Sequence, residues 1–174
     1  MRISFRRRIA ALALSVLLLA RLDAAAQAMV HVPDIFTYQA PVGWAMVDLP
    51  GSSYPTAIET ASPSQAKAMI TVNADLAPGD LGNWCVQAMA RNKAAFATLG
   101  AQVGAVEPFT TAVGATGYRA PVSLTARGRA LYYVLYFFDG GSGTKITLTC
   151  ACPAADSAHY GPLFEAAMKT FLPR

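Results

Sequence analysis

Two periods run through this chain. Over most of its length apolar and polar positions alternate, as in a strand half buried in a sheet. In two stretches the apolar positions recur at three- and four-residue steps, as in a helix lying on a core. "IFTYQAPVGWAMVDL" reads as a strand, a Pro/Gly turn and a second strand. "TAIETASPSQAKAMITVNADL" reads as two more about a Ser-Pro-Ser turn. There Ala68, Ile70, Val72 and Ala74 alternate with Met69, Thr71 and Asn73. The period then changes. "PGD" supplies a break and an N-cap at Asp80, and "LGNWCVQAMARNKAAFATLG" follows. Leu81, Trp84, Cys85, Ala88, Met89, Phe96 and Leu99 form its stripe, Arg91 and Lys93 fall off it, and Gly100 stops it. This predicts one amphipathic helix of about five turns.

The alternation returns afterwards. "AQVGAVEPFTTAV" is an irregular strand carrying Pro108. "ATGYRAPVSLTARG" holds Pro121, which implies an edge or a bulge. "RALYYVLYFF" is apolar on both sides: Leu131, Tyr133, Leu135 and Phe137 face one way, Tyr132, Val134, Tyr136 and Phe138 the other. Such a strand needs cover on both faces. "DGGSG" turns the chain into "TKITLTCAC". Finally "SAHYGPLFEAAMKTFL" reads as a helix with Leu163, Phe164, Ala167, Met168 and Phe171 on its stripe, its regular part beginning near Tyr160 because Pro162 suits a first turn. The order is ββββ-α-ββββ-α. Short links favour antiparallel pairing. The predicted architecture is an antiparallel sheet flanked by helices on both faces, an α-β-α sandwich of the α+β class.

The N-terminus carries an address. "MRISFRRR" is basic, "IAALALSVLLLA" is apolar but too short for an ordinary span, and "AAAQA" offers small residues for a signal peptidase. The expected organisation is a signal peptide over 1–28, cut between Ala28 and Met29, a flexible arm over 29–33 and a single domain over 34–174. The product would be periplasmic or secreted, with no stable membrane span. "FRRRIAAL" is a weak twin-arginine match, so Sec export is the default. Removing 1–28 changes the charge. The whole chain has a formal charge of +4 from 14 basic and 10 acidic residues; the segment takes five basic residues and one acid, leaving nine of each. The mature chain is neutral, and no basic surplus points to nucleic acid or anionic lipid.

Two stretches resemble a known family. "FTYQAPVGWAMVD" is similar to the opening hairpin of PsbP-like domains, with an aromatic strand running into Pro41-Val42-Gly43-Trp44. "LTCACPAADSAHYGPLFEAAMKTFL" is similar to their close. DcrB-type envelope proteins and Ran-binding Mog-type proteins share that fold, and the resemblance spans about residues 34 to 173 in element order. It implies a non-catalytic, PsbP-like domain, a protein-binding or accessory module of the bacterial envelope, with another envelope protein as partner and no cofactor. It assigns no functional residue.

The candidate sites are few. Cys150 and Cys152 continue the apolar phase of Ile146 and Leu148, while Thr147, Thr149 and Ala151 point the other way. Cys85 lies on or beside the stripe of the first helix. If that stripe packs on the cysteine face, an exported protein permits a Cys85–Cys150 disulfide, with Cys152 as the alternative. Closing so long a loop would stabilise by about 4 kcal/mol in the chain-entropy model. A redox centre lacks C-x-x-C, and the C-x-C spacing with His159 is not a zinc knuckle, so no metal is expected. Catalysis has little to work with. His31 lies in the expected arm, His159 beside Asp156 and Ser157 in what reads as a helix cap, and "GGSGT" is not a nucleophile elbow. Trp44, Tyr54 and Trp84 are weak candidates for a small-ligand cleft. The plainer expectation is that Trp44 packs the hairpin and Trp84 anchors the helix.

Overall fold

The computed structural model describes residues 27–50, 52–60 and 66–174. Within them the order is β1 (Met29–Val32), β2 (Phe36–Gln39), β3 (Ala45–Val47), β4 (Thr56–Ile58), β5 (Met69–Leu76), α1 (Leu81–Ala95), β6 (Gln102–Val103), β7 (Glu107–Thr110), β8 (Thr116–Ala126), β9 (Arg129–Asp139), β10 (Thr144–Pro153), α2 (Ser157–Lys169) and β11 (Leu172–Pro173). The class is α+β. The main sheet runs β3-β4-β5-β10-β9-β8-β6, with β7 also on β8, and a small sheet runs β1-β2-β11. All the pairings are antiparallel.

The long central strands divide their side chains between two apolar clusters. Val134, Tyr136 and Phe138 of β9 join Ile146, Leu148, Cys150 and Cys152 of β10, Ile70 and Val72 of β5, and Tyr160, Phe164, Ala167 and Met168 of α2. The alternate residues Leu135 and Phe137 join Ala120 and Val122 of β8 and Leu81, Cys85, Ala88 and Met89 of α1. Successive residues of a strand point to opposite faces, so each cluster occupies its own face of β9. The first cluster is the larger, and rings fill it: Phe138 stacks on Phe171 at 4.2 Å and Phe109 meets Tyr136 edge-on at 4.9 Å.

Both helices end where local chemistry dictates. Asp80 Oδ1 accepts the Asn83 N–H at 2.9 Å, satisfying a donor that α1 leaves open. α1 closes in a three-ten turn at Ala97–Leu99, and Gly100 follows with φ 64. Phe96, expected on the buried stripe, stands at the helix's C-cap and is 38% exposed. α2 begins at Ser157 rather than near Tyr160, and Pro162 lies inside it. The ring removes one donor to the preceding turn, but Tyr160 and Phe164 are buried on either side of it and hold the turn in place.

Three expectations are corrected. Residues 29–33 are not a free arm: Met29–Val32 pairs with Phe36–Gln39, and Val30 and Val32 are buried while Met29 and His31 face solvent. β2 and β3 are not a hairpin either. The Trp44 N–H donates to Pro41 O at 3.1 Å and Gly43 has φ 80, so the chain does turn, but β2 belongs to the small sheet and β3 to the main one. Third, the irregular strand before β8 is two short strands. β6 pairs with Val122 and Ser123 and β7 with residues 116–119, leaving Pro121, which has no N–H to offer, at the break between them. The Gly104 N–H donates to Pro121 O at 2.8 Å. A Cβ on Gly104 would stand 2.6 Å from Pro121 Cγ, so only glycine lets the backbone cross there. The expected signal segment lies outside the described residues except for Gln27 and Ala28. Among the described residues no helix is long and apolar enough to cross a membrane.

Candidate functional site

α1 packs chiefly on β6, β8 and β9. The β10 and β5 residues that share its face are polar: Thr147 and Thr149 are half-buried and Asn73 and Asp75 exposed. A helix on one half of a sheet face, with hydroxyls and a carboxylate on the other half, leaves a groove between them. It measures about 480 Å³. Trp84, Phe96, Tyr133, Leu135 and Phe137 give it an apolar wall, and Asn73, Asp75, Thr147, Thr149, Arg91 and Asn92 a polar one. Trp84 stands edge-on to Phe137 at 5.8 Å, which fixes the ring at the mouth. Burial pushes the Tyr133 phenol up, so it stays a neutral donor.

The three aromatic candidates do not converge. Trp84 lines the groove. Trp44 is buried in the other cluster, edge-on to Tyr160 at 6.4 Å and to Phe164 at 6.1 Å. Tyr54 rests half-buried against Phe36 at 5.8 Å. Sequence reasoning named Trp84 and missed its partners Asp75, Arg91, Thr147 and Thr149. A signal existed: β5 and β10 are neighbours, and both are polar at the positions that face away from the cysteines.

The cysteines are not brought together. Cys85 belongs to the α1 cluster, Cys150 and Cys152 to the α2 cluster, and all three are buried and free. The expected Cys85–Cys150 disulfide, and its Cys152 alternative, fail because α2, not α1, covers the cysteine face of β10. The sheet stands between the thiols. Burial pushes the Cys85 thiol up to about 12, with repulsion from Asp139 and Asp80 adding to it. Burial and then Asp156 push Cys152 up to about 11, and burial and then Cys152 raise Cys150. Protonated thiols are poor nucleophiles and poor metal ligands. Elsewhere His159 is exposed with its ring against Tyr160 at 4.7 Å, and Ser157 Oγ donates to Ala154 O at 2.8 Å as a turn element. Among the described residues no three His, Cys, Asp or Glu side chains gather closely enough to hold a metal ion.

No protein-family model matches the chain, and no curated protein matches it in sequence. Solved structures do. The cyanobacterial PsbP protein CyanoP of Synechocystis sp. PCC 6803 superposes with a TM-score of 0.63 at 14% identity, covering 88% of this chain and 96% of that one. The fold is PsbP-like and Mog-like. LpqN, described as involved in cell envelope biogenesis of Mycobacterium tuberculosis, gives 0.58 at 11% identity over 87% of this chain and 86% of its own. The Saccharomyces cerevisiae Ran-binding protein Mog1p gives 0.56 at 11% identity over 86% and 96%. Identities this low establish the PsbP-like fold alone.

Proposed function

We propose that this chain is an exported, non-catalytic binding protein of the bacterial envelope whose working surface is the groove beside α1. One observation carries it: a half-apolar, half-polar groove of about 480 Å³ beside α1 on a PsbP-like fold. Pockets of this size and mixed lining suit small ligands. The raised thiols, the Ser157 hydroxyl spent on Ala154 O and the His159 ring packed on Tyr160 favour binding over chemistry. The reading includes a three-layer sandwich with one helix on each face, and the two clusters that share β9 support it. The signal segment over 1–28 underlies the export part of the proposal, with cleavage between Ala28 and Met29. The mass of the protein recovered from the envelope tests that point.

The groove is tested by titrating the purified protein with small aromatic alcohols while following the Trp84 indole resonance, assigned with Trp84→Phe. Shifts centred on Trp84, Leu135 and Thr147 are expected; a Trp84 signal that never moves overturns the site. A second reading, docking of a protein partner, is favoured by the like-folded Mog1p, whose name records binding to Ran. A photo-crosslinker at Val86, 60% exposed on the outer side of α1, distinguishes the two. A discrete adduct with one envelope protein would favour the partner.

A further inference from the structure

The groove carries charges of both signs, and neither charge is matched from within. Asp75 lines the groove, exposed near the end of β5, the strand that leads into α1. It is cross-strand from Lys145, but that ammonium is held by Asp139. Asp80, capping α1, adds another carboxylate close by, and Asp80, Asp139 and Lys145 all act on Cys85 electrostatically. This end therefore gathers carboxylates around a single ammonium. Arg91 lines the groove further along α1, about 15 Å of helix from its start. Among the described residues neither Asp75 nor Arg91 makes an ion pair. Trp84 and Phe137 line the same groove on its apolar wall, Thr147 and Thr149 on its polar one.

We infer that the groove takes a short zwitterionic peptide, its ammonium at Asp75, its carboxylate at Arg91 and an apolar or aromatic side chain against Trp84. The inference rests on the groove being the binding site. An occupant must carry a cation and an anion well apart, offer amides to Thr147 and Thr149 between them, and present an apolar body to the indole. A single amino acid holds its two charges too close together. A fatty acid or a neutral sugar lacks one charge or both. Three or four extended residues span about 10–14 Å, close to the length of α1 from its start to Arg91. Charge at each end selects the occupant by its termini, because a capped end leaves Asp75 or Arg91 desolvated without a partner.

The test uses the purified protein and the tetrapeptide Ala-Phe-Ala-Ala in four forms: free, N-acetylated, C-amidated and doubly capped. Binding is followed by calorimetry and by the Trp84 indole resonance. The free peptide is expected to bind at least tenfold tighter than either singly capped form. Asp75→Asn should erase the penalty of acetylation alone, and Arg91→Gln that of amidation alone, each with the spectrum of the unbound fold retained. If all four forms move Trp84 with equal affinity, recognition of the termini is overturned and the groove stands. If no peptide moves Trp84 but aromatic alcohols do, the peptide is overturned and the groove again stands. If neither class moves it, both fall together.

Discussion

The two sides of β9 are built from the same strand and differ in nearly everything else. Toward α2, Val134, Tyr136 and Phe138 join a large set of rings, with Phe171 stacked on Phe138 and Trp44 edge-on to Phe164. Toward α1, Leu135 and Phe137 are buried, but Tyr133 and Trp84 are only partly so, and the next two strands present threonine and asparagine. The α2 face holds the larger, ring-filled core, with a cleft of about 380 Å³ at its edge among Glu107, Arg119, Tyr132 and Glu165; the α1 face is packed under the helix and left open beside it. A sheet that must stay folded while holding a ligand can divide those demands between its faces, because the alternation of a strand keeps the two sets of side chains independent.

The division is broken most directly by removing rings. Phe138→Ala should cost about 3–5 kcal/mol, because a fully buried ring leaves a cavity that the stacked Phe171 cannot close. Trp84→Ala should cost no more than about 2 kcal/mol, since its ring is already partly hydrated, yet it should abolish ligand response in the groove. Urea unfolding of both variants compares the faces. Equal losses would mean that the α1 face carries as much of the stability as the α2 face. Next in size is Gly117→Ala. A Cβ there would stand 2.2 Å from Phe137 O, so β8 and β9 must separate where they pair, at about 1–3 kcal/mol. Because β8 carries groove residues Val122 and Leu124, this variant should also blunt binding, which the same titration would reveal.

Much of this division could be read in the sequence. "RALYYVLYFF" announced a strand covered on both sides, the helical stripes named what covers it, and Asp80 and Gly100 marked the ends of the first cover. What could not be read was which helix takes which face. Cys85, Cys150 and Cys152 all lie on apolar stripes, and the sequence phase is the same whether α1 packs on the cysteine face of β10 or on its threonine face. The expected disulfide depended on that choice. Strands of two residues, such as β6 and β11, are too short to show a period, and the four residues of β1, beside a processing site, look like an arm. The groove was half legible. Trp84 was named for its chemistry, while Asp75 and Arg91 are ordinary surface residues until the fold brings them to one site.

The thiols offer a test of the corrected pairing. Denatured without reductant, the protein should show three reactive thiols, and two fewer would restore a disulfide across the sheet. The raised pKa values also set a pH dependence. The folded state keeps its thiol protons above pH 9 while the unfolded chain releases them, so the stabilising contribution is whole below about pH 9 and lost as pH rises toward about 12 for Cys85 and about 11 for Cys152. Unfolding free energy should therefore fall above pH 9, by at most about 1.4 kcal/mol per pH unit for each thiol. Cys85→Ala should flatten part of that slope from the groove side. Tyr38 and Tyr136, also raised by burial, add their share above pH 10 from the packed side.

The smallest effect is expected at the outer edge of the packed face. Arg119 on β8 reaches Glu107 of β7 at 3.2 Å and Glu165 of α2 at 3.5 Å, with a third of the arginine and about half of each glutamate in solvent. If α2 is held by its buried rings, this ion pair is incidental to it. Glu165→Gln should then change stability by less than about 0.5 kcal/mol, and high salt should erase even that, since exposed pairs are screened. Urea unfolding at low and high ionic strength makes the comparison. A salt-sensitive loss above about 1 kcal/mol would show α2 anchored by charge as well as by packing, and the α2 face would then be less purely a matter of aromatic contacts than its partner across the sheet.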